Sequence, residues 1–107
     1  MNWRKSPPAV AAGESSSIML EQDIVVSNKL GLHARASAKL VQLVQTFKST
    51  IWLVSNGREV NAQSIMGVMM LAAGLGTTLT VRTDGTDEES ALAAVIDLFE
   101  RKFDEGA

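Results

Sequence analysis

Asn56-Gly57 lies between Thr50–Val54, a β-branched and aromatic run, and Glu59–Asn61. An Asn-Gly pair accepts positive φ at both central positions of a two-residue turn, the turn whose twist matches that of two paired strands. The flanking runs are therefore antiparallel neighbours, and the rest of the chain has to pack on the sheet that they begin. With Ile51 and Leu53 facing a core, Trp52 falls on the open face and packs partly against it.

The remaining elements follow from periodicity. In Leu20–Val26, residues Leu20, Ile24 and Val26 share one face and Glu21, Asp23 and Val25 the other, as in a half-buried strand. After Gly31, apolar residues recur at Ala36, Leu40, Leu43, Val44 and Phe47, one face of a helix over about 34–47, with Lys39, Gln42 and Gln45 on its polar side. Ser64 suits an N-cap for a short apolar helix over 65–73, and Gly74-Leu75-Gly76 ends it. Thr78–Thr83 alternates as a further strand and Asp84-Gly85 turns the chain. Thr86 and Glu89 are spaced as a capping box, with Asp87 and Glu88 in the first turn of the last helix. Its stripe is Leu92, Val95, Ile96, Phe99 and Phe103, and Arg101 and Lys102 complement its C-terminal dipole. The order β-α-β-β-α-β-α predicts an α+β fold, a four-stranded antiparallel sheet with three helices on one face.

A chain of 107 residues makes one domain able to bury a core without staples. It has no cysteine and a single histidine, which excludes disulfides and thiolate zinc sites and disfavours any metal cluster. The net charge is −2 and no basic block or aromatic-basic pattern occurs, so nucleic acid is not the expected partner. The apolar run after Ser64 is too short and glycine-broken to span a membrane. Gly74 and Gly76 precede a strand and lack a following Lys-Ser or Lys-Thr, so they carry no phosphate-loop signal. Residues 1–18 contain Pro7-Pro8, an alanine run and Ser15-Ser16-Ser17 without periodicity, and are expected to be disordered. Pro7, Pro8, Gly13 and Glu14 interrupt the apolar centre that a signal peptide would need.

The lone histidine, His33, falls at the mouth of the first helix. Backbone N–H groups at a helix start lack intrahelical partners and carry the positive end of the macrodipole, so an anion held there gains hydrogen bonds and charge. Arg35 adds a cation. A neutral imidazole with a free lone pair is a nucleophile, and a phosphoryl group added to it would lie against the helix amides and Arg35. On chemistry alone, a histidine before a helix is more often an ordinary cap or surface residue.

The segment Gly31-Leu32-His33-Ala34-Arg35 resembles the active-site segment of the HPr family of phosphocarrier proteins. Ser64-Ile65-Met66-Gly67-Val68-Met69 is similar to that family's regulatory-serine and docking segment, and the resemblance runs from about Met19 to Glu105. It implies an open-faced α/β sandwich for residues 19–107, and a phosphoryl carrier, not an independent turnover enzyme, of the phosphoenolpyruvate-dependent phosphotransferase system. His33 would accept a phosphoryl group on Nδ1 from Enzyme I and pass it to an EIIA-type protein. Arg35 and the N–H groups of Ala34 and Arg35 would hold the phosphoryl oxygens. The resemblance also implies phosphorylation of Ser64 by an HPr kinase/phosphorylase. Because it begins at Met19, that residue is a candidate translation start, which would make 1–18 a start-site artefact. One departure is Ala36, where the family usually has proline; alanine is also a strong helix former, so slightly looser geometry is expected.

Of the apolar run after Ser64, Ile65, Met66 and Met69 are expected to form a Met-rich partner patch, and Val68, Leu71 and Ala72 to pack inward. No cofactor is called for, and a cytoplasmic monomer is expected. Two rivals stand beside the carrier: a regulatory binding module controlled through Ser64 with no obligatory relay, and an enzyme using His33 as general base. Within the family, Ala91-Leu92-Ala93-Ala94-Val95-Ile96 looks like the nitrogen-related relative NPr, whereas Ser64-Ile65-Met66-Gly67 looks like sugar-uptake HPr.

Overall fold

Alternation along each strand decides which face is buried. The computed structural model describes residues 4–5 and 19–106. Its strands are β1 (Arg4–Lys5), β2 (Leu20–Val25), β3 (Thr50–Ser55), β4 (Arg58–Asn61) and β5 (Thr78–Asp84), joined antiparallel in the order β1-β2-β5-β3-β4. The four long strands are the predicted antiparallel sheet. The short β1 ladder, Arg4 opposite Glu21 and Lys5 opposite Leu20, adds a fifth at the β2 edge, within the stretch expected to be disordered. The rest of that expected leader lies outside the described residues. Gln22, Val81, Leu53 and Val60 stand opposite one another across four strands, which fixes one face of the sheet as the core face.

Helices α1 (Ala34–Val44), α2 (Ile65–Met70) and α3 (Glu88–Glu100) cover that face. Leu40, Val41 and Val44 of α1 and Leu92, Val95, Ile96 and Phe99 of α3 pack with Ile51, Leu53, Leu79 and Val81 of the sheet. On the other face Arg82 donates from Nε to Glu21 and from Nη1 to Glu59, each at 2.9 Å. These carboxylates, Glu21 foremost, raise the affinity of the Arg82 guanidinium for its proton. Trp52, opposite Arg82, is half-buried on this side.

Element ends differ from the sequence expectation where a local contact competes with periodicity. Helix α1 stops at Val44, because the N–H groups of Thr46 and Phe47 bond back only three residues, to Leu43 and Val44. Helix α2 stops at Met70, and Ala72 takes φ +51, which turns it outward and buries Ala73 in its place. The expected Thr86–Glu89 capping box does not form. Asp87 holds the cap position, and its carboxylate instead accepts from the N–H groups of Lys48 and Ser49 and from the Ser49 hydroxyl, tying the start of α3 to the start of β3. Those bonds, the Ser49 hydroxyl foremost, hold Asp87 below the usual carboxylate range.

Phe103 belongs to the predicted apolar stripe but not to the helix. After α3 the chain makes a single 3-10 turn over Lys102–Asp104 with φ of 56°, 55° and 60°. Left-handed backbone costs a non-glycine residue on the order of 1 kcal/mol, and here it is offset by burial. Phe103 is fully buried, edge-on to Phe99 with ring centroids 4.8 Å apart, and its carbonyl accepts from Lys39 Nζ at 2.7 Å.

Candidate functional site

Gly31 makes the turn that delivers His33 to α1. Its φ is +67°, and a Cβ there would overlap the Ala73 carbonyl oxygen and lie 2.7 Å from Gly74 Cα. The close approach lets Leu32 N–H donate to the Ala73 carbonyl at 2.9 Å, which fastens this loop to the segment after α2. Asn28, fully buried, closes the turn by donating from Nδ2 to the Gly31 carbonyl at 2.9 Å.

His33 is the N-cap of α1, with extended backbone (φ −75°, ψ −178°). Its Nδ1 accepts the N–H of Arg35 at 3.2 Å, and Nε2 lies 2.7 Å from Glu105 Oε2. The two contacts fix the tautomer: a nitrogen that accepts an amide proton holds a lone pair, and one against a carboxylate holds the hydrogen. Nδ1 is therefore the basic and nucleophilic atom, and it faces the helix N-terminus.

Glu105 also accepts from Asn28 Nδ2 at 3.1 Å through Oε1, so both of its carboxylate oxygens are bonded. Burial pushes its protonation upward, but the bonds from Asn28 and His33 and the nearby Arg35 charge outweigh that and hold it below the ordinary carboxylate range. Lys29, Leu30, Ala34 and Arg35 complete an open depression of about 680 Å³ around this pair. Ala34 and Arg35 are exposed, and the Arg35 guanidinium makes no hydrogen bond among the described residues.

Ser64 is the exposed N-cap of α2, and its Oγ accepts the Gly67 N–H at 3.0 Å. Beyond it Ile65, Met66 and Met69 are exposed, Met66 to 71%, while Val68 is buried and Leu71 half-buried. Met70, not singled out from the sequence, is exposed as well, to 60%. Helix α2 packs beside α1, so this apolar surface and the His33 end belong to adjoining elements of one layer. His33, Ala34 and Arg35 meet at one point, and Ser64 sits apart from them at the head of another helix. Among the described residues no group of three or more metal-ligating side chains occurs, and no helix is long and apolar enough to cross a membrane.

Sequence reasoning missed Asn28 and Glu105 as parts of the site. Glu105 is 72 residues from His33 and reads as one of an ordinary run of charges after the last helix. The available signal was Phe103, an apolar residue on the stripe that had to be buried and so would bring its neighbours inward.

A sequence model described as PTS HPr component phosphorylation site matches residues 20–101. The chain is 59% identical over 87 residues to the phosphocarrier protein HPr of Xylella fastidiosa, a match covering 81% of this chain and 98% of that protein. It is 41% identical over 88 residues to the phosphocarrier protein NPr of Shewanella violacea, covering 82% and 97%. The crystal structure of HPr from Thermoanaerobacter tengcongensis superposes with a TM-score of 0.77 at 45% identity, covering 79% of this chain and 96% of that one.

Proposed function

This chain belongs to the HPr family of phosphocarriers of the phosphotransferase system, and from that premise we propose that His33 accepts a phosphoryl group from Enzyme I and passes it to an EIIA-type protein. The observation that carries the reading is the Nδ1 lone pair of His33, turned toward the Arg35 amide at the start of α1.

In the forward step Nδ1 attacks the phosphorus of a phosphoimidazole on Enzyme I. The new N–P bond forms as the donor's N–P bond breaks, and the donor imidazole leaves with that electron pair. No proton has to move between the rings, which accounts for a site without a general acid or base. As the phosphoryl arrives, the Arg35 N–H exchanges Nδ1 for a phosphoryl oxygen, joined by the Ala34 N–H and the Arg35 guanidinium. The site is open on one side, as a carrier requires, because a phosphate bound too well in the carrier would not be handed on. Onward transfer repeats the step with the roles reversed.

Ile65, Met66 and Met69 form the docking surface that brings the partner's histidine into line. Exposed Ser64 is the candidate regulatory site, where an HPr kinase/phosphorylase would place a phosphate at a helix start that tolerates negative charge. The higher identity to HPr than to NPr supports the sugar-uptake branch, acting as a monomer in the cytoplasm.

The test is to mix the protein with Enzyme I and phosphoenolpyruvate and to read the intact mass before and after acid treatment. One acid-labile phosphoryl group, absent from His33→Ala, is expected. No adduct, under conditions where Enzyme I charges a control carrier, would reject the relay in favour of regulation through Ser64.

A further inference from the structure

We propose that Glu105 is a positioning residue for phosphoryl transfer: its carboxylate fixes the hydrogen of His33 on Nε2 in the free carrier and balances the positive charge of the ring once Nδ1 is phosphorylated. The inference rests on the relay proposed above and adds a residue to it.

The contact is built rather than incidental. Glu105 is only 12% exposed at its side chain, an unusual position for a carboxylate, and lies 2.7 Å from Nε2. It is held there from several directions: the fully buried Asn28 donates to its second oxygen, Phe103 anchors the preceding turn in the core, and Lys39 clasps the Phe103 carbonyl. Three successive residues with left-handed backbone, Lys102, Phe103 and Asp104, bend the chain back toward α1. Strain of that kind persists where the surroundings impose it, and here its product is one carboxylate placed against one imidazole.

The chemistry follows from which nitrogen is touched. A neutral imidazole attacking through Nδ1 keeps its hydrogen on Nε2, so the ring becomes a cation as the N–P bond forms. A carboxylate on Nε2 gains in attraction as that charge develops, and it does so across the ring from the phosphoryl oxygens, which it would repel at closer range. The same pairing keeps the imidazole a cationic, good leaving group for the onward step. Nothing is consumed: the Nε2 hydrogen remains in place in both directions.

The test compares Glu105→Ala, which removes bond and charge, with Glu105→Gln, which keeps a hydrogen-bond acceptor but no charge, and with Glu100→Gln as an exposed control on α3. Phosphorylation by Enzyme I is followed at varied carrier concentration, and the ring nitrogens of His33 are followed by 15N NMR. Loss of one charge-assisted hydrogen bond corresponds to about a tenfold fall in kcat for Glu105→Ala, with KM within about twofold and a smaller loss for Glu105→Gln. Its ring spectrum should move from a single Nε2–H form toward tautomer exchange. Unchanged kcat and an unchanged ring spectrum in Glu105→Ala would overturn the proposal. So would a loss that appears wholly in KM, since that signals a disturbed docking surface. If the wild-type protein accepts no phosphoryl group, the relay fails, and the ring spectra still decide whether Glu105 sets the tautomer.

Discussion

Replacing Gly31 by alanine should strike both stability and the site, and its cost can be worked from geometry. The residue would keep φ near +67°, which costs a non-glycine residue about 1 kcal/mol. Its Cβ would also press on the Ala73 carbonyl and Gly74 Cα, backbone atoms that cannot swing aside as a side chain would. Moving them stretches the bond from Leu32 N–H to the Ala73 carbonyl and adds about 2 kcal/mol of overpacking. The sum, about 3 kcal/mol, is a large share of the roughly 5–15 kcal/mol that holds a domain together. For a domain of this size it lowers Tm by roughly 12–24 °C in a thermal melt followed by circular dichroism. Because the displaced turn carries His33, phosphorylation by Enzyme I should slow even at temperatures where the variant is folded. A Tm within about 4 °C of wild type would mean that the loop accommodates a side chain freely, and would refute the claim that close backbone approach fixes this turn.

Other perturbations probe the remaining contacts. Phe103→Ala should cost about 3–5 kcal/mol in urea unfolding, and should also free Glu105 from His33, seen as loss of the single Nε2–H ring form. Asp87 titrates below its ordinary 3.8, so its bonds to Ser49 and Lys48 stabilise the fold above that pH and are lost as pH falls through the lower, folded value. Asp87→Asn should therefore be less stable at neutral pH, with a flatter decline of the urea midpoint in acid than wild type. Ser64→Ala removes the α2 cap, for a loss of about 1 kcal/mol, and should leave phosphorylation by Enzyme I intact while abolishing any by an HPr kinase. Met66→Glu, at a position with 71% exposure, should raise KM for Enzyme I about tenfold with little change in stability.

The sheet was legible because its information is local. Asn56-Gly57 fixes one hairpin, alternation in Leu20–Val26 and Thr78–Thr83 fixes the buried face, and the Leu92–Phe99 stripe fixes the covering helix. Helix ends were less legible, since they turn on contacts that periodicity does not contain: Asp87, expected in the first turn of the last helix, holds the cap position, and its carboxylate takes the amides of Lys48 and Ser49. His33, Ala34 and Arg35 are contiguous in sequence, so their place together at the mouth of α1 could be read directly. The other half of the site could not. Glu105 meets His33 and Asn28 only through the left-handed turn after α3, a conformation that Lys102, Phe103 and Asp104 do not announce by residue type.

The proposed phosphoryl acceptor is one atom, Nδ1 of His33, and phosphorus–nitrogen correlation by NMR identifies it. Protein labelled with 15N in its histidine and charged by Enzyme I and phosphoenolpyruvate should display one phosphoryl group coupled to Nδ1 of His33, with the hydrogen still on Nε2. A phosphoryl group on Nε2, on another side chain, or nowhere on the protein would contradict the account.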